Sequence, residues 1–347
     1  MGFWEELDGS GQPITNPKTR VRVQARQTYV FAKAYQMGWQ CQISEQMMRL
    51  GVATLVEQCQ RHDGLYGFEI ELGKGLTHDR ASLYDSAFVL LAFSAVAAAG
   101  LKELVVLPAE RLTLALESTG KRQPDGNGYF ETLPASPQRS QNPHMHLFEA
   151  YLAAAAAFDR IDYLERCTKI RDFVLRVFFD NGSSTLREFC FPLGDESSVN
   201  RVEAGHHYEW TWLLQKHAEL SGTAVCRHAG ELFASALRLT EPDGCIILEH
   251  TLDEVPLRSD RRLWSLTEAL KANLIVAHGG DREALTRAIE NLGRIRLDHF
   301  DGAPDGGWLD CRTMDGCING CSIPASTAYH IVLAFDELIR ISQSLND

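Results

Sequence analysis

His206 and Glu209 stand three residues apart in EAGHHYEW, a spacing that puts both side chains on one face of a helix. A carboxylate there can orient or charge the imidazole. A histidine that titrates near neutrality is the side chain best matched to moving a carbon-bound proton at pH 7. A lone histidine on an apolar helix is ordinarily a satisfied core residue, so chemistry requires convergence with other groups. Asn142 precedes Pro143, the expected N-cap and first-turn pair of a helix, and His146 follows one turn later on the same face. Both can reach a sugar hydroxyl. His144 beside His146, and His207 beside His206, diverge on their helices, so a metal centre of several histidines is not expected. Arg26 lies in an apolar stretch and needs a partner, either a carboxylate or a developing oxyanion. Asp85 is the nearest candidate counter-ion. Trp264 and Trp308 could stack on a sugar ring or anchor a core.

The elements that must carry these residues recur. Helix-period patterns run over 24–37, 83–99, 143–158, 163–177, 207–220, 265–277 and 327–341, and long alternating strands are absent. Tyr29, Tyr84, His146, His206, Glu268 and His330 occupy similar helices at steps of 55, 62, 60, 62 and 62 residues. A period near 60 fits two helices and their connections. The recurring helix is rich in small residues, as in AAAAAF, whereas the segments between are charged, as in DREALTRAIENLGRI. Helices packed on every side form an inner ring and amphipathic ones an outer ring. The expected fold is all-α, an (α/α)6 barrel of six helical hairpins forming a single catalytic domain over residues 1–347. Turn-rich connections, HDGLYG, QPDGNGYF, EPDGCI and DGAPDGGW, join the helices. The candidate residues fall at equivalent ends of the inner helices.

Composition narrows the chemistry. The 347 residues carry 34 basic and 46 acidic side chains, a net charge of −12, which argues against nucleic acid or an anionic membrane surface as partner. The longest apolar run, 87–100, is shorter than the roughly 20 residues of a membrane span. No secretory signal begins the chain, and nine cysteines without CxxC pairs fit reduced thiols, so a cytoplasmic location is expected. Cys311, Cys317 and Cys321 cluster without a fourth ligand and read as loop thiols rather than a zinc site. GFEIELGKG fails the phosphate-loop spacing, and no nucleotide cofactor or metal is expected.

Six motifs, RQTYVFAKAY, SLYDSAFVLLAFS, NPHMHLFEAYLA, EAGHHYEWTWLL, RLWSLTEALKA and PASTAYHIVLAFDEL, resemble in order those of the N-acylglucosamine 2-epimerase superfamily of sugar isomerases and epimerases. The resemblance covers nearly the whole chain and implies the same barrel. It also implies proton abstraction beside a sugar carbonyl without a required metal, with His206 and His330 as the catalytic pair. Arg26, Asn142, His146, Glu209 and Trp264 match the family's binding positions, and Asp85 joins them as a candidate from the residue reading. The members that epimerise disaccharides carry a tryptophan five residues before the last histidine, where this chain has Ala325. The wording PAST before YH is more like the mannose-isomerase members. The expected activity is therefore aldose–ketose isomerisation of an unmodified hexose such as mannose through an enediol or enediolate, with 2-epimerisation as the alternative. A phosphosugar would need a cationic cluster beyond Arg26.

Two other classes compete on the same scaffold. A glycosidase would recruit two carboxylates from Glu203, Glu209, Asp85 and Glu268, and a noncatalytic binding module would dispense with His206 and His330. A small sugar is the expected partner of the enzyme, a sugar or a protein that of the binding module, and self-association is left open.

Overall fold

The computed structural model describes residues 1–118, 128–135, 139–190, 200–320 and 322–344. Part of QPDGNGYF, and Cys321 of the cysteine cluster, lie outside the described residues. The eight described cysteines are free thiols. The chain divides into two compact units. The first comprises Met1–Glu5, Ile14–Val177 and Phe189–Leu193; the second, Glu6–Pro13, Phe178–Glu188 and Gly194–Asp347.

The first unit holds three helical hairpins: α1 (Val21–Gln36) with α2 (Cys41–Thr54), α3 (Leu83–Val96) with α4 (Val106–Ser118), and α5 (Asn142–Phe158) with α6 (Ile161–Val177). α3 packs on both α1 and α5 as well as on α4. Thirteen of its 14 residues are buried, as expected of a helix apolar on every face, whereas α4 buries five of 13. Helical turns continue past α3, so Leu83–Leu104 is long and apolar enough to cross a membrane, unlike the shorter run visible in sequence. In this unit it is a core helix, clasped by α1 and α5.

The second unit pairs α7 (Ala204–Ser221) with α8 (Arg227–Arg238) and α9 (Leu263–His278) with α10 (Arg282–Arg294), then ends on α11 (Ala328–Ser344). α9 is its central helix, packed on α7, α10 and α11. Thirteen of the 16 residues of α9 are buried against three of 13 in α10, again an all-round apolar helix beside an amphipathic one. The described residues thus form five hairpins and a sixth inner helix without a following partner.

Strands are two to four residues long and sit in the connections, where they fix loops to helix ends. Lys18–Arg20, Glu69–Glu71 and Gly75–His78 form a three-stranded sheet in the first unit. In the second, Phe179–Asp180 pairs with Thr185–Leu186, Arg261–Arg262 with Cys311–Arg312, and Glu6–Asp8 with Ser322–Pro324.

Candidate functional site

In the first unit, polar groups gather at the starts of α1, α3 and α5. The orphan N–H of Arg22, in the first turn of α1, donates to Asp85 Oδ1 at 2.9 Å, and the Arg22 Nε lies 3.5 Å from the same oxygen. Asp85 is fully buried at the start of α3, where its own N–H donates to the Ser82 side chain. Burial pushes its carboxyl up, against the pull of Arg22. Asp85 therefore serves Arg22 and ties α1 to α3, and the counter-ion role expected toward Arg26 goes one turn earlier. Arg26 instead donates to the Tyr84 hydroxyl at 2.8 Å and lies 4.0 Å over the Phe88 ring.

The same two rings hold His146, at 5.0 Å from Tyr84 and 4.5 Å from Phe88, while its Nδ1 meets Glu149 Oε2 at 3.2 Å. Arg26 and His146 thus share an aromatic wall. Asn142 is the first residue of α5 rather than its cap; the cap position is Gln141, which makes no side-chain cap bond. The buried Oδ1 of Asn142 has no hydrogen-bond partner among the described residues, which leaves it for a ligand or water. His144 faces away: its Nε2 accepts from Tyr129 N–H at 3.0 Å and its Nδ1 donates to the Ser140 carbonyl at 3.0 Å. Burial lowers its pKa to about 4.

In the second unit, His206 and His330 lie against one indole. The Trp264 ring is 5.1 Å from His206 and 5.8 Å from His330. Gly205 makes this possible, because a Cβ there would come within 2.6 Å of the Trp264 ring. His206 Nδ1 bonds Glu188 Oε1 at 2.8 Å and lies 3.6 Å from Glu203 Oε2; His330 Nδ1 bonds Glu268 Oε1 at 2.8 Å. Each Nδ1 bond directs proton exchange to Nε2. Burial would lower the His206 pKa, but Glu188 and then Glu203 outweigh it and raise it to about 10. Burial raises Glu203, opposed by His206.

Glu209, the partner expected from sequence, adds charge at longer range, while Nδ1 is taken by Glu188. His206 sits in the first turn of α7, where side chains lean toward the helix start, so it meets Glu203 and the incoming loop. His207 turns away, its Nε2 accepting from Leu186 N–H at 3.0 Å and its Nδ1 meeting the Ser235 hydroxyl. Burial lowers it to about 4. Trp308 packs on the core of this unit.

Sequence reasoning missed Glu188, Tyr84, Glu149 and Lys271. Glu203 carried a signal, three residues before His206; Glu188, in a loop 18 residues earlier, carried none. Glu188, Glu203 and His206 each offer a ligand atom within 4.8 Å of the others and are the described residues of this unit that could hold a cation. In the structure the same atoms form the imidazole–carboxylate bond.

In the second unit these features bring two glutamate-bonded imidazoles onto one indole. The D-mannose isomerase crystal structure superposes over 98% of this chain and 92% of its own, with a TM-score of 0.83 and 20% identity, which shows the (α/α)6-barrel fold. Residues 2–334 match the model of the N-acylglucosamine 2-epimerase family, and the chain belongs to that family of sugar isomerases and epimerases. The mannose-6-phosphate isomerase of Rhizobium meliloti (strain 1021) is 33% identical, the match covering 97% of this chain and 89% of that one. The D-mannose isomerase of Thermobifida fusca is 28% identical over 87% and 79%.

Proposed function

We propose that this chain is an aldose–ketose isomerase that interconverts an unmodified hexose such as mannose with fructose, without a metal, its 347 residues working as one catalytic domain. The observation that carries the reading is the pair of glutamate-backed imidazoles, His206 and His330, on one tryptophan. His206, held protonated at neutral pH, suits the acid role, and His330 the base.

After the ring opens, His330 takes the C2 proton of the aldose, and the electron pair moves onto the carbonyl oxygen to give the enediolate. Arg26 supplies a cationic donor for that oxygen. Transfer of the C2 hydroxyl proton to O1 and delivery of a proton to C1 complete the ketose with its carbonyl at C2, whereas returning a proton to the opposite face of C2 of the first enediolate would make the epimer. Asn142, His146, Glu209 and Trp264 bind the sugar in this reading. Asp85 acts at one remove, through the start of α1.

The R. meliloti relative, named for a 6-phosphate, supports a second reading with a phosphorylated hexose. Against it, two arginines of the second unit are already balanced. Arg201 pairs with Glu203 and Glu249, and Arg258 with Glu249 and Asp260. An NMR time course in D2O, with chelated protein and either mannose or mannose 6-phosphate, separates the readings. Fructose with deuterium at C1 supports the isomerase. Glucose appearing first would move the activity to epimerisation, turnover of the phosphate alone would move the substrate, and restoration only by added metal would refute metal independence.

A further inference from the structure

Lys271 is fully buried in α9, an expensive position for an ammonium unless it is paired. Its Nζ lies 2.6 Å from Glu268 Oε2, with both side chains inaccessible to solvent, and 4.2 Å over the Trp212 ring of α7. Glu268 spends its other oxygen on His330 Nδ1 at 2.8 Å. Ammonium, carboxylate and imidazole therefore form one connected line. His206 stands differently, facing two carboxylates, Glu188 at 2.8 Å and Glu203 at 3.6 Å, while Arg201 is divided between Glu203 and Glu249. Two histidines on one indole thus have unequal charge behind them.

We propose that Lys271 is a positioning residue of this reaction: its buried ammonium fixes Glu268 as an ionised acceptor for His330 Nδ1 and offsets the carboxylate charge that His330 would otherwise feel. The role given to His330 rests on the isomerase reading above; the charge relation does not. The helices packed on α9 carry the following groups. α7 contributes Trp212 against Lys271, and its Glu209 acts on His206. α11 contributes Tyr329, 4.7 Å from the His330 ring, and Glu337, which bonds Arg340 at 2.6 Å. α10 meets α9 at Asn273, where Arg287 donates to the amide oxygen at 3.1 Å.

Removing the ammonium acts twice in the same direction. A nearby like charge no longer opposes the imidazolium, and loss of the His330 proton would leave Glu268 buried beside no cation. Both raise the His330 midpoint. The experiment is an NMR titration of histidine-labelled free protein, with the His330 signal assigned through His330→Gln. Lys271→Met is expected to raise the midpoint by about one pH unit or more, and Lys271→Arg, which keeps the charge, to leave it near the wild-type value. Where Lys271→Met fails to fold, Lys271→Gln leaves Glu268 a donor while removing the charge, and the same rise is expected. An unmoved midpoint in the neutral variant, or an equal move in Lys271→Arg, overturns the proposal. The titration needs no substrate: a raised midpoint with no turnover of mannose sustains the charge relation and refutes the sugar reading alone.

Discussion

Glu188 is the residue on which the electrostatics of His206 most depend, and its replacement by glutamine removes a charge while keeping an oxygen acceptor. His206 is raised from its ordinary 6.5 to about 10 although burial opposes this, and Glu188, 2.8 Å from Nδ1, is the largest raising cause. Losing one close opposite charge is worth about 1–3 pH units. At about 1.4 kcal/mol per unit, Glu188→Gln should cost on the order of 1.4–4 kcal/mol where the charged pair is fully formed. The sign follows from linkage. A histidine whose folded pKa exceeds its unfolded value gives stability that is complete below 6.5 and is lost as pH rises through about 10. The penalty of Glu188→Gln is therefore largest near pH 6 and closes toward pH 10. Urea unfolding of wild type and variant at pH 6, 8 and 9.5 measures it, since groups common to both proteins cancel in the difference. A penalty that stays constant across that range would refute the placement of charge argued here.

His206→Ala and His330→Ala should each lower turnover at least about 100-fold, the usual scale of a general acid or base; near-normal turnover in either folded variant removes that residue from the mechanism. His144 and His207, both lowered to about 4, bind a proton on unfolding, so stability should fall as pH drops from 6.5 through about 4, by about 3 kcal/mol each. Urea midpoints at pH 7 and pH 4.5 test this, and His207→Gln should flatten the decline. Gly205→Ala forces a methyl against the Trp264 ring, and with the indole displaced between the two histidines turnover should fall about 100-fold in a protein that still folds. Unchanged turnover would show that the indole does not align them.

The inner helices were legible because burial on every side leaves a composition that no surface helix has. AVAAAG and AAAAAF repeat at a spacing that only a two-helix unit fills, and the seven periodic segments fall on α1, α3, α5, α6, α7, α9 and α11. Boundaries shifted by a few residues, and α2, α4 and α8 were harder to see because amphipathic outer helices resemble ordinary surface helices. The candidate residues were placed on the inner helices through the same recurrence, but the groups that they contact were not visible. A histidine and a glutamate three apart share a face in either direction, and only the lean of the first turn of α7 selects Glu203 over Glu209 for contact. Glu188 arrives by a loop between two-residue strands, whose pairing leaves no period to read. Nothing in the sequence singles out Lys271; its burial follows from the central place of α9.

The adjacent histidines of the second unit show how a residue outside the proposed chemistry can still position a group that belongs to it. His207 accepts the N–H of Leu186 and thereby holds the strand Thr185–Leu186 to the start of α7. Two residues on, the Glu188 N–H donates to the Arg201 carbonyl at 2.9 Å, so the backbone around Glu188 is fastened on both sides. Only with that loop fixed can the carboxylate stand 2.8 Å from His206 Nδ1. The low pKa of His207 serves the same end, because an imidazolium could not accept from a backbone N–H. In the first unit His144 repeats the device by accepting the Tyr129 N–H, beside His146. The divergence of adjacent histidines is thus a division of labour: one imidazole secures a loop, and its neighbour is the one that the proposed function assigns to the substrate.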